Sequence, residues 1–270
     1  MVMRHCIWFF LGILLIGADA RAGRIEEIKA RGELIVGVRD NVTPFGFVNE
    51  KTNQLEGFDV DVGRYIAGRL GVKYVIKPLA VSDRVPAVVQ GIVDMAVAAF
   101  EQDHKAEENI DFSVPYFWDS IRLLVSVDNK IASLEELAAK KVATVKGTGI
   151  ERVVREMQPA CVPVAFDVYP AAFMALKRGE VVALAGESLN LLGVKRVDVE
   201  PDNWVLLADS IARVSYAIGL PENDSNFRDQ VNKALMDMWT SGEFEKVYSR
   251  WFGSDADFPV PLDWEMQLWQ

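Results

Sequence analysis

Cysteine and histidine are scarce in this chain, and their scarcity narrows its possible chemistry. The 270 residues include two cysteines, Cys6 and Cys161, and two histidines, His5 and His104. No cluster of His, Cys and Asp has the spacing of a metal site. A Cys–His nucleophilic pair would require His104 and Cys161 to meet, although they lie in different halves of the predicted fold. The sequence therefore predicts no metal, no cofactor and no thiol catalysis.

Long apolar runs are absent after the first 22 residues, so no later segment is predicted to span a membrane. Residues 6–16 form a short apolar stretch behind the basic pair Arg4 and His5, and small residues follow up to Ala22. This pattern is typical of a secretory signal peptide cleaved after Ala22, and an uncleaved anchor is the alternative. We expect residues 1–22 to be removed and the mature chain to work in the periplasm.

Positive charge is in deficit, because 29 lysines and arginines stand against 39 acidic residues, a net charge of -10. An acidic surface argues against nucleic acid and anionic membranes as partners. Cleavage would leave Cys161 as the one cysteine, so no internal disulfide could form. Half of the residues are hydrophobic. We therefore expect a monomer that its hydrophobic core holds together.

The order of predicted elements is strand, helix, strand, helix, which favours an α/β fold with largely parallel sheets. Apolar residues at helical spacing predict a helix from Phe58 to Leu70 that Gly71 ends, and Ser82 is expected to cap a short helix before Gly91. Short apolar runs predict strands over residues 34–38, 74–76, 94–98, 142–145 and 181–185. Two terminal helices are predicted around residues 227–238 and 244–251.

Two α/β units follow one another without a flexible linker, which predicts two lobes joined by extended segments. We place lobe 1 at residues 23–119 and 217–270 and lobe 2 at residues 120–216, with crossovers at 120–125 and 213–220. Ligands of such sheets bind beyond the carboxyl ends of strands. The cleft between the lobes is therefore the expected site.

Five motifs, in a fixed order, resemble the periplasmic polar amino-acid-binding proteins of ABC importers, the solute-binding proteins of family 3. The resemblance runs from about residue 25 to about residue 253. It rests on residues 37–45 (GVRDNVTPF), 57–61 (GFDVD), 111–116 (DFSVPY), 146–148 (KGT) and the ending 240–252 (TSGE to WF).

The resemblance implies a periplasmic-binding-protein type II fold with two hinged lobes, closure on a small ligand, and delivery to a membrane permease. The segments 83–86 (DRVP), 121–124 (IRLL) and 201–204 (PDNW), together with Arg39, are most similar to the glutamate/aspartate-binding branch.

Two arginines and two aromatic residues are candidate ligand contacts in lobe 1. Arg39 ends a predicted strand, its planar guanidinium suits a carboxylate, and the resemblance places it against the ligand side chain. A surface salt bridge to Asp40 or Glu56 is the alternative. Arg84 has the same chemistry, and a solvated position on its short helix is the alternative. Phe45 and Phe47 alternate along an extended segment, so they either line the pocket or fill the core.

Lobe 2 contributes a turn and an acidic residue. Thr148 and Gly149 follow a strand and open a helix, so their amides, the helix dipole and the Thr148 hydroxyl can bind a carboxylate, although a plain tight turn is the alternative. Glu187 follows a strand where the family carries an acidic residue for the ligand's ammonium. A glutamate at a helix amino terminus is its alternative.

One departure from the family puts the ligand in question. The family has a Thr-x-Thr-x-x-Arg stretch before its Asp-Phe-Ser motif, and its arginine clamps the ligand's α-carboxylate. Here Ala106 stands at the arginine position and Glu101 at a hydroxyl position. Either Lys105, Arg84 or Arg39 replaces the missing guanidinium, or the ligand lacks an ordinary α-carboxylate. Glu101 favours a cationic or amine-bearing ligand, with Phe100 and Trp118 as possible cation–π faces.

Two other functions share this fold. The resemblance extends to cyclohexadienyl dehydratases, in which a cleft carboxylate such as Glu187 or Glu101 could act as a general acid. A ligand-sensing domain of a receptor is the third alternative. The main prediction is a binding protein without catalytic activity.

Overall fold

A computed structural model describes residues 23–102, 104–129, 131–260, 262 and 264–267. The predicted signal peptide, residues 1–22, lies outside these described residues. Within them, no helix combines the length and the hydropathy that a bilayer span requires.

The first of two large sheets is built mainly from the first half of the chain. Its strands are β1 (Glu33–Val38), β5 (Lys73–Pro78), β6 (Met95–Ala96), β7 (Ile110–Phe112) and β14 (Gly219–Pro221). They lie in the order β5-β1-β6-β14-β7. β1 is parallel to both of its neighbours, whereas β14 runs antiparallel to β6 and β7.

The second large sheet is built from residues 117–216. Its strands are β8 (Phe117–Ser126), β9 (Lys141–Val145), β10 (Val162–Phe166), β11 (Ala183–Glu187), β12 (Trp204–Leu206) and β13 (Ala212–Tyr216). Five of them lie in the order β10-β9-β11-β8-β12, and β13 also pairs with β8. A small third sheet contains β2 (Asn41–Val42), β3 (Gly46–Asn49) and β4 (Gln54–Glu56).

Helices alternate with the strands, which confirms the predicted α/β class. They are α1 (Arg24–Arg31), α2 (Phe58–Leu70), α3 (Arg84–Val89), α4 (His104–Glu107), α5 (Ile150–Met157), α6 (Tyr169–Lys177), α7 (Ser188–Arg196), α8 (Ser225–Thr240) and α9 (Glu243–Phe252). The boundaries of α2 match the prediction, and Gly71 ends it with φ of 72°. This left-handed conformation favours glycine at a helix end.

The predicted cap of α3 is wrong. Ser82 lies inside a 3-10 turn, Val81–Asp83, and its hydroxyl donates to the Asp83 carboxylate 3.1 Å away. The 3-10 turn leads directly into α3, so no extended residue stands at the cap position, where a side chain could reach the first amides.

Two crossing segments join the sheets and bond to each other. β8 begins at Phe117 and pairs antiparallel with β13, so that Tyr216 lies opposite Phe117. The predicted single run 213–220 divides in two, since β13 belongs to the second sheet and β14 to the first. Between them, the Ile218 carbonyl accepts from the Ser113 amide at 3.0 Å. The lobe boundaries at residues 119 and 216 stay predictions.

An aromatic core lies at the crossings. The rings of Phe117 and Tyr216 stack at 5.7 Å, and the rings of Phe45 and Phe58 meet Phe117 edge-on at 5.0 and 5.8 Å. Gly57 makes this packing possible, because a Cβ there would lie 2.1 Å from the Phe45 carbonyl oxygen. The crossings are therefore anchored on a rigid apolar base.

The segment after α9 packs on both halves of the molecule. Trp264 stacks on Trp239 of α8 at 5.4 Å. Arg196 of α7 bonds to the Asp257 carboxylate and backbone and lies over the Phe258 ring. The sequence left the position of this segment open.

Candidate functional site

Arg84 is the most deeply buried arginine among the candidates. Its guanidinium carbon lies 4.3 Å from the centroid of the Phe100 ring, and the whole residue is 8% exposed. Its Nη1 donates to the Ala99 carbonyl at 3.0 Å, and its Nε donates to the Val81 carbonyl at 3.2 Å. Burial, with the like charge of Arg39, lowers the pKa of Arg84 to about 10, so it stays charged at neutral pH.

A buried carboxylate of the GFDVD motif holds the backbone under Arg84. Asp59 Oδ2 accepts from the Ala99 amide at 2.6 Å, and Oδ1 accepts from the Tyr116 hydroxyl at 2.7 Å. Ala99 has φ of 43°, a left-handed conformation that costs free energy outside glycine. Burial raises the pKa of Asp59 to about 6, although both hydrogen bonds and the arginines oppose the shift.

Glu187 ends β11 and is 5% exposed. Its Oε2 accepts from the Tyr169 hydroxyl and from Asn190 Nδ2, the latter at 3.2 Å. Gly186 permits the approach, because a Cβ there would stand 2.6 Å from the Tyr169 ring. Glu187 occupies the amino-terminal end of α7, but its side chain makes no capping bond. Its carboxylate is thus held by side chains, and Oε2 alone among its oxygens accepts bonds from the described residues.

Arg39 lies at the carboxyl end of β1. Its Nη2 donates to Asn41 Oδ1 at 2.6 Å. Within the described part of the chain its buried Nε has no hydrogen-bond partner. Burial lowers the pKa of Arg39, while Asp40, Asp59 and Glu187 act in the opposite direction. A half-buried guanidinium with an unused donor is suited to an incoming acceptor.

The cleft is narrow where lobe-1 residues meet the start of α5. A Cβ built on Gly149 would lie 3.2 Å from Glu101 Oε1 and 3.4 Å from Oε2. A Cβ on Gly147 would lie 3.2 Å from Val81 Cγ1. The two sides of the cleft are therefore in contact. Glu101 lies against the amino-terminal end of α5, and its negative charge also favours the charged form of Arg84.

Thr148 uses its hydroxyl locally. Its Oγ1 donates to the Val145 carbonyl at 2.7 Å. The hydroxyl proton that was predicted to bind a ligand carboxylate therefore already takes part in a hydrogen bond within the turn. The hydroxyl oxygen can still accept a hydrogen bond.

The two phenylalanines of the β2–β3 segment contact other aromatic rings. Phe45 is fully buried among the rings of Phe58, Phe117, Tyr216 and Phe252. Phe47 meets Trp251 edge-on at 5.8 Å. The contacts of Phe45 favour core filling, the alternative to pocket lining, because a ring enclosed by other rings has no face left for a ligand. Phe47 is half-buried, so its place in the pocket stays a prediction.

Each of the two predicted cation–π rings already lies beside an arginine of the protein. Phe100 holds Arg84, and Trp118 lies 5.9 Å from the Arg213 guanidinium carbon. Trp118 also lines a cavity of about 200 Å³ with Trp264 and Glu265. Strand alternation explains this placement, since the next residue, Asp119, points to the opposite face.

Asp119 and Tyr169 are buried polar residues that the sequence did not indicate. Asp119 is 8% exposed and accepts from the Ser120 and Leu189 amides at 2.6 and 3.3 Å. Burial raises its pKa to about 6, and the nearby Glu187 adds to the shift. Asp119 could have been recognised as an acidic residue that alternates with apolar residues along a strand. No pattern in the sequence indicated a role for Tyr169.

The described residues contain no group of three or more His, Cys, Asp or Glu side chains able to hold a metal ion. An open depression of about 460 Å³ lies along α5 and is lined by Thr148, Glu151, Arg152, Arg155 and Glu156. It does not include the charged cluster. Arg39, Arg84, Glu101 and Glu187 form a separate cluster whose charges interact.

Comparison with known proteins gives a family match over most of the chain. A model of the bacterial extracellular solute-binding proteins, family 3, matches residues 34–254. The glutamine-binding protein of Geobacillus stearothermophilus is 31% identical over 213 residues, which are 77% of this chain and 80% of that protein. The L-glutamate/L-aspartate-binding protein of Pseudomonas aeruginosa is 27% identical over 262 residues, with 90% and 86% covered.

A solved structure shares the fold. The ancestral amino acid-binding protein AncCDT-1, described as a precursor of cyclohexadienyl dehydratase, has a TM-score of 0.75 and 27% sequence identity. The match covers 85% of this chain and 99% of that one. It confirms the predicted two-lobed type II binding-protein fold.

Proposed function

Because this chain belongs to the bacterial extracellular solute-binding proteins of family 3, we propose that it captures a small amino acid or a related amine-bearing solute between its two lobes and delivers it to the permease of an ABC importer. The names of the relatives support an amino-acid ligand. Release into the periplasm after cleavage at Ala22 is part of the proposal.

One observation carries the assignment of the site: the half-buried Arg39, the buried Arg84 and the buried Glu187 interact through their charges. A zwitterion requires a cation for its carboxylate and an anion for its ammonium. We assign Arg39 and Arg84 to the ligand's carboxylate and Glu187 to its amine. Buried charges of this kind are costly unless they are paired, so a ligand of matching charges would stabilise the closed form.

Arg84 has the stronger geometry of the two arginines. Its Nε and Nη1 bind backbone carbonyls, and its stacking on Phe100 fixes the plane of the guanidinium. Among the described residues Nη2 makes no hydrogen bond, which keeps one charged donor for the ligand. A rigid, partly used arginine loses little entropy when it binds a carboxylate.

The test is a thermal-shift and calorimetric screen of the mature protein with the common amino acids, agmatine and putrescine. Binding raises the apparent stability by mass action. We expect at least one amino acid to bind, and we expect R84M to weaken it at least tenfold. The control R178M changes an exposed arginine that pairs with Glu180 and should bind as the wild type does. Equal binding by R84M and R178M would contradict the assigned site.

We propose binding without catalysis. The fold that this chain shares with AncCDT-1 makes prephenate and arogenate the substrates to try. Incubation of the mature protein with each should give no aromatic product above the uncatalysed rate, and multiple turnovers would overturn this part of the proposal.

A further inference from the structure

Glu101 is the one candidate residue of the first lobe whose carboxylate rests against the second. It follows the segment after β6, and its backbone bridges to Tyr216 of the crossing strand β13. Its two carboxylate oxygens lie 3.2 and 3.4 Å from the position of a Cβ on Gly149. Gly149 is the cap residue of α5. The carboxylate therefore lies against the end of a helix where the partial charge is positive.

The Glu101 carboxylate also interacts electrostatically with Arg84, one of the two arginines assigned to the ligand. The negative charges of Glu187 and Glu101 both favour the charged form of Arg84. Arg39 interacts with Glu187 from the other side. The cleft thus holds the positive charges of two arginines and the negative charges of Glu101 and Glu187. The buried carboxyl groups of Asp59 and Asp119 lie in the same region.

No further guanidinium stands on the lobe-1 side at residue 106. Ala106 is 6% exposed and packs in an apolar cluster with Phe100 and Ile110. A ligand carboxylate near the start of α5 would therefore meet a carboxylate of the protein in place of a cation. Like charges in a closed, poorly hydrated cleft repel strongly, because little water remains to screen them.

We propose that Glu101 is a specificity-determining residue: its carboxylate occupies the start of α5 and excludes ligands with a second carboxylate. The ligand class is then a monocarboxylate that bears one or more amines, a neutral or basic amino acid. Its carboxylate faces Arg39 and Arg84, and its amine lies near Glu187 and Glu101. This inference rests on the proposed function and narrows it.

The experiment compares the wild type with E101S and with the control E108S. Glu108 is an exposed residue seven positions further on, so E108S makes the same change of charge outside the cleft. Calorimetry with L-glutamine, L-arginine, L-glutamate and L-aspartate gives the ratios of Kd. We expect the wild type to bind L-glutamine or L-arginine at least tenfold more tightly than L-glutamate. E101S should reduce that ratio at least tenfold, and E108S should keep it.

Two results would overturn the inference: wild-type protein that binds L-glutamate as tightly as both L-glutamine and L-arginine, or an unchanged ratio in E101S. If neither protein binds any of the four amino acids, the wider screen described above decides the proposed function, and a measurement without ligand tests the position of Glu101. G149A places a methyl group against the Glu101 carboxylate, so it should lower Tm more in the wild-type background than in E101S. Equal shifts of Tm in both backgrounds would show that the two residues do not touch in solution.

Discussion

Substitution of Asp59 by asparagine should make the stability of this protein less sensitive to pH. Asp59 is fully buried, and its carboxylate accepts bonds from Tyr116 and Ala99. Asparagine has nearly the same shape but does not titrate. The difference in the free energy of unfolding between D59N and the wild type therefore isolates the ionisation of this one carboxyl group.

The magnitude follows from the shift of the pKa from 3.8 to about 6. An aspartate whose folded pKa is raised is most stabilising while it is protonated, below pH 3.8. Between pH 3.8 and 6 the folded protein keeps the proton that the unfolded chain has lost, so stability falls as the pH rises. At about 1.4 kcal/mol per pKa unit the full loss is about 3 kcal/mol, of which about 2 kcal/mol falls between pH 4 and pH 7.

The assay is urea unfolding of both proteins at each pH unit from 4 to 7. The stability of D59N should rise relative to the wild type by about 2 kcal/mol across this range, whatever the offset between the two proteins at pH 4. The exposed control D202N should run parallel to the wild type. A constant difference, or a stability of D59N that falls relative to the wild type as the pH rises, would refute the reasoning, because it would mean that burial does not raise the pKa of Asp59.

Two further substitutions probe the ammonium site and the C-terminal segment. Y169F removes a buried hydroxyl that donates to Glu187; we expect the affinity for the best-bound amino acid to fall about two- to tenfold by calorimetry, and an unchanged Kd would contradict the role given to Tyr169. W264A removes a ring that stacks on Trp239; it should lower the free energy of unfolding by about 1 to 3 kcal/mol in urea titrations and leave ligand affinity unchanged, and a loss of binding would instead connect this segment to the cleft.

Periodic patterns in the sequence predicted the elements that depend on local interactions. Phe58, Val62 and Ile66 are all buried on one face of α2, and Gly71 ends the helix in the left-handed conformation. The apolar runs became β1, β5 and β9 at nearly their predicted bounds. These features depend on residues three or four positions apart or on a single buried strand, which is why one sequence is enough to find them.

The side chains of the cleft could not be placed in the same way. Phe45 turned out to be enclosed by rings from four other segments, and Trp118 faces Arg213 and the C-terminal segment. Strand alternation fixes that Trp118 and Asp119 point to opposite faces but does not fix which face is the cleft. That choice depends on how the crossing strands pair, a contact between residues nearly a hundred positions apart.

The roles assigned to Asp59 and Glu101 together imply that ligand selection depends on pH. The cleft region contains the arginines Arg39 and Arg84, the carboxylates Glu101 and Glu187, and the buried Asp59 and Asp119, whose pKa values are both about 6. Above pH 6 the carboxylates outnumber the arginines by two, and below it the two buried aspartates become neutral. A second ligand carboxylate is then repelled less, because two negative charges near the arginines have gone.

We therefore expect the preference for L-glutamine over L-glutamate to be several-fold smaller at pH 5 than at pH 7.5. Calorimetry at both values of pH measures it, with D59N as the comparison. The asparagine side chain in D59N stays neutral throughout, so this variant should show a weaker dependence on pH than the wild type. A preference that grows as the pH falls would contradict the charge balance proposed for the cleft, since protonation of Asp59 and Asp119 can only make its potential more positive.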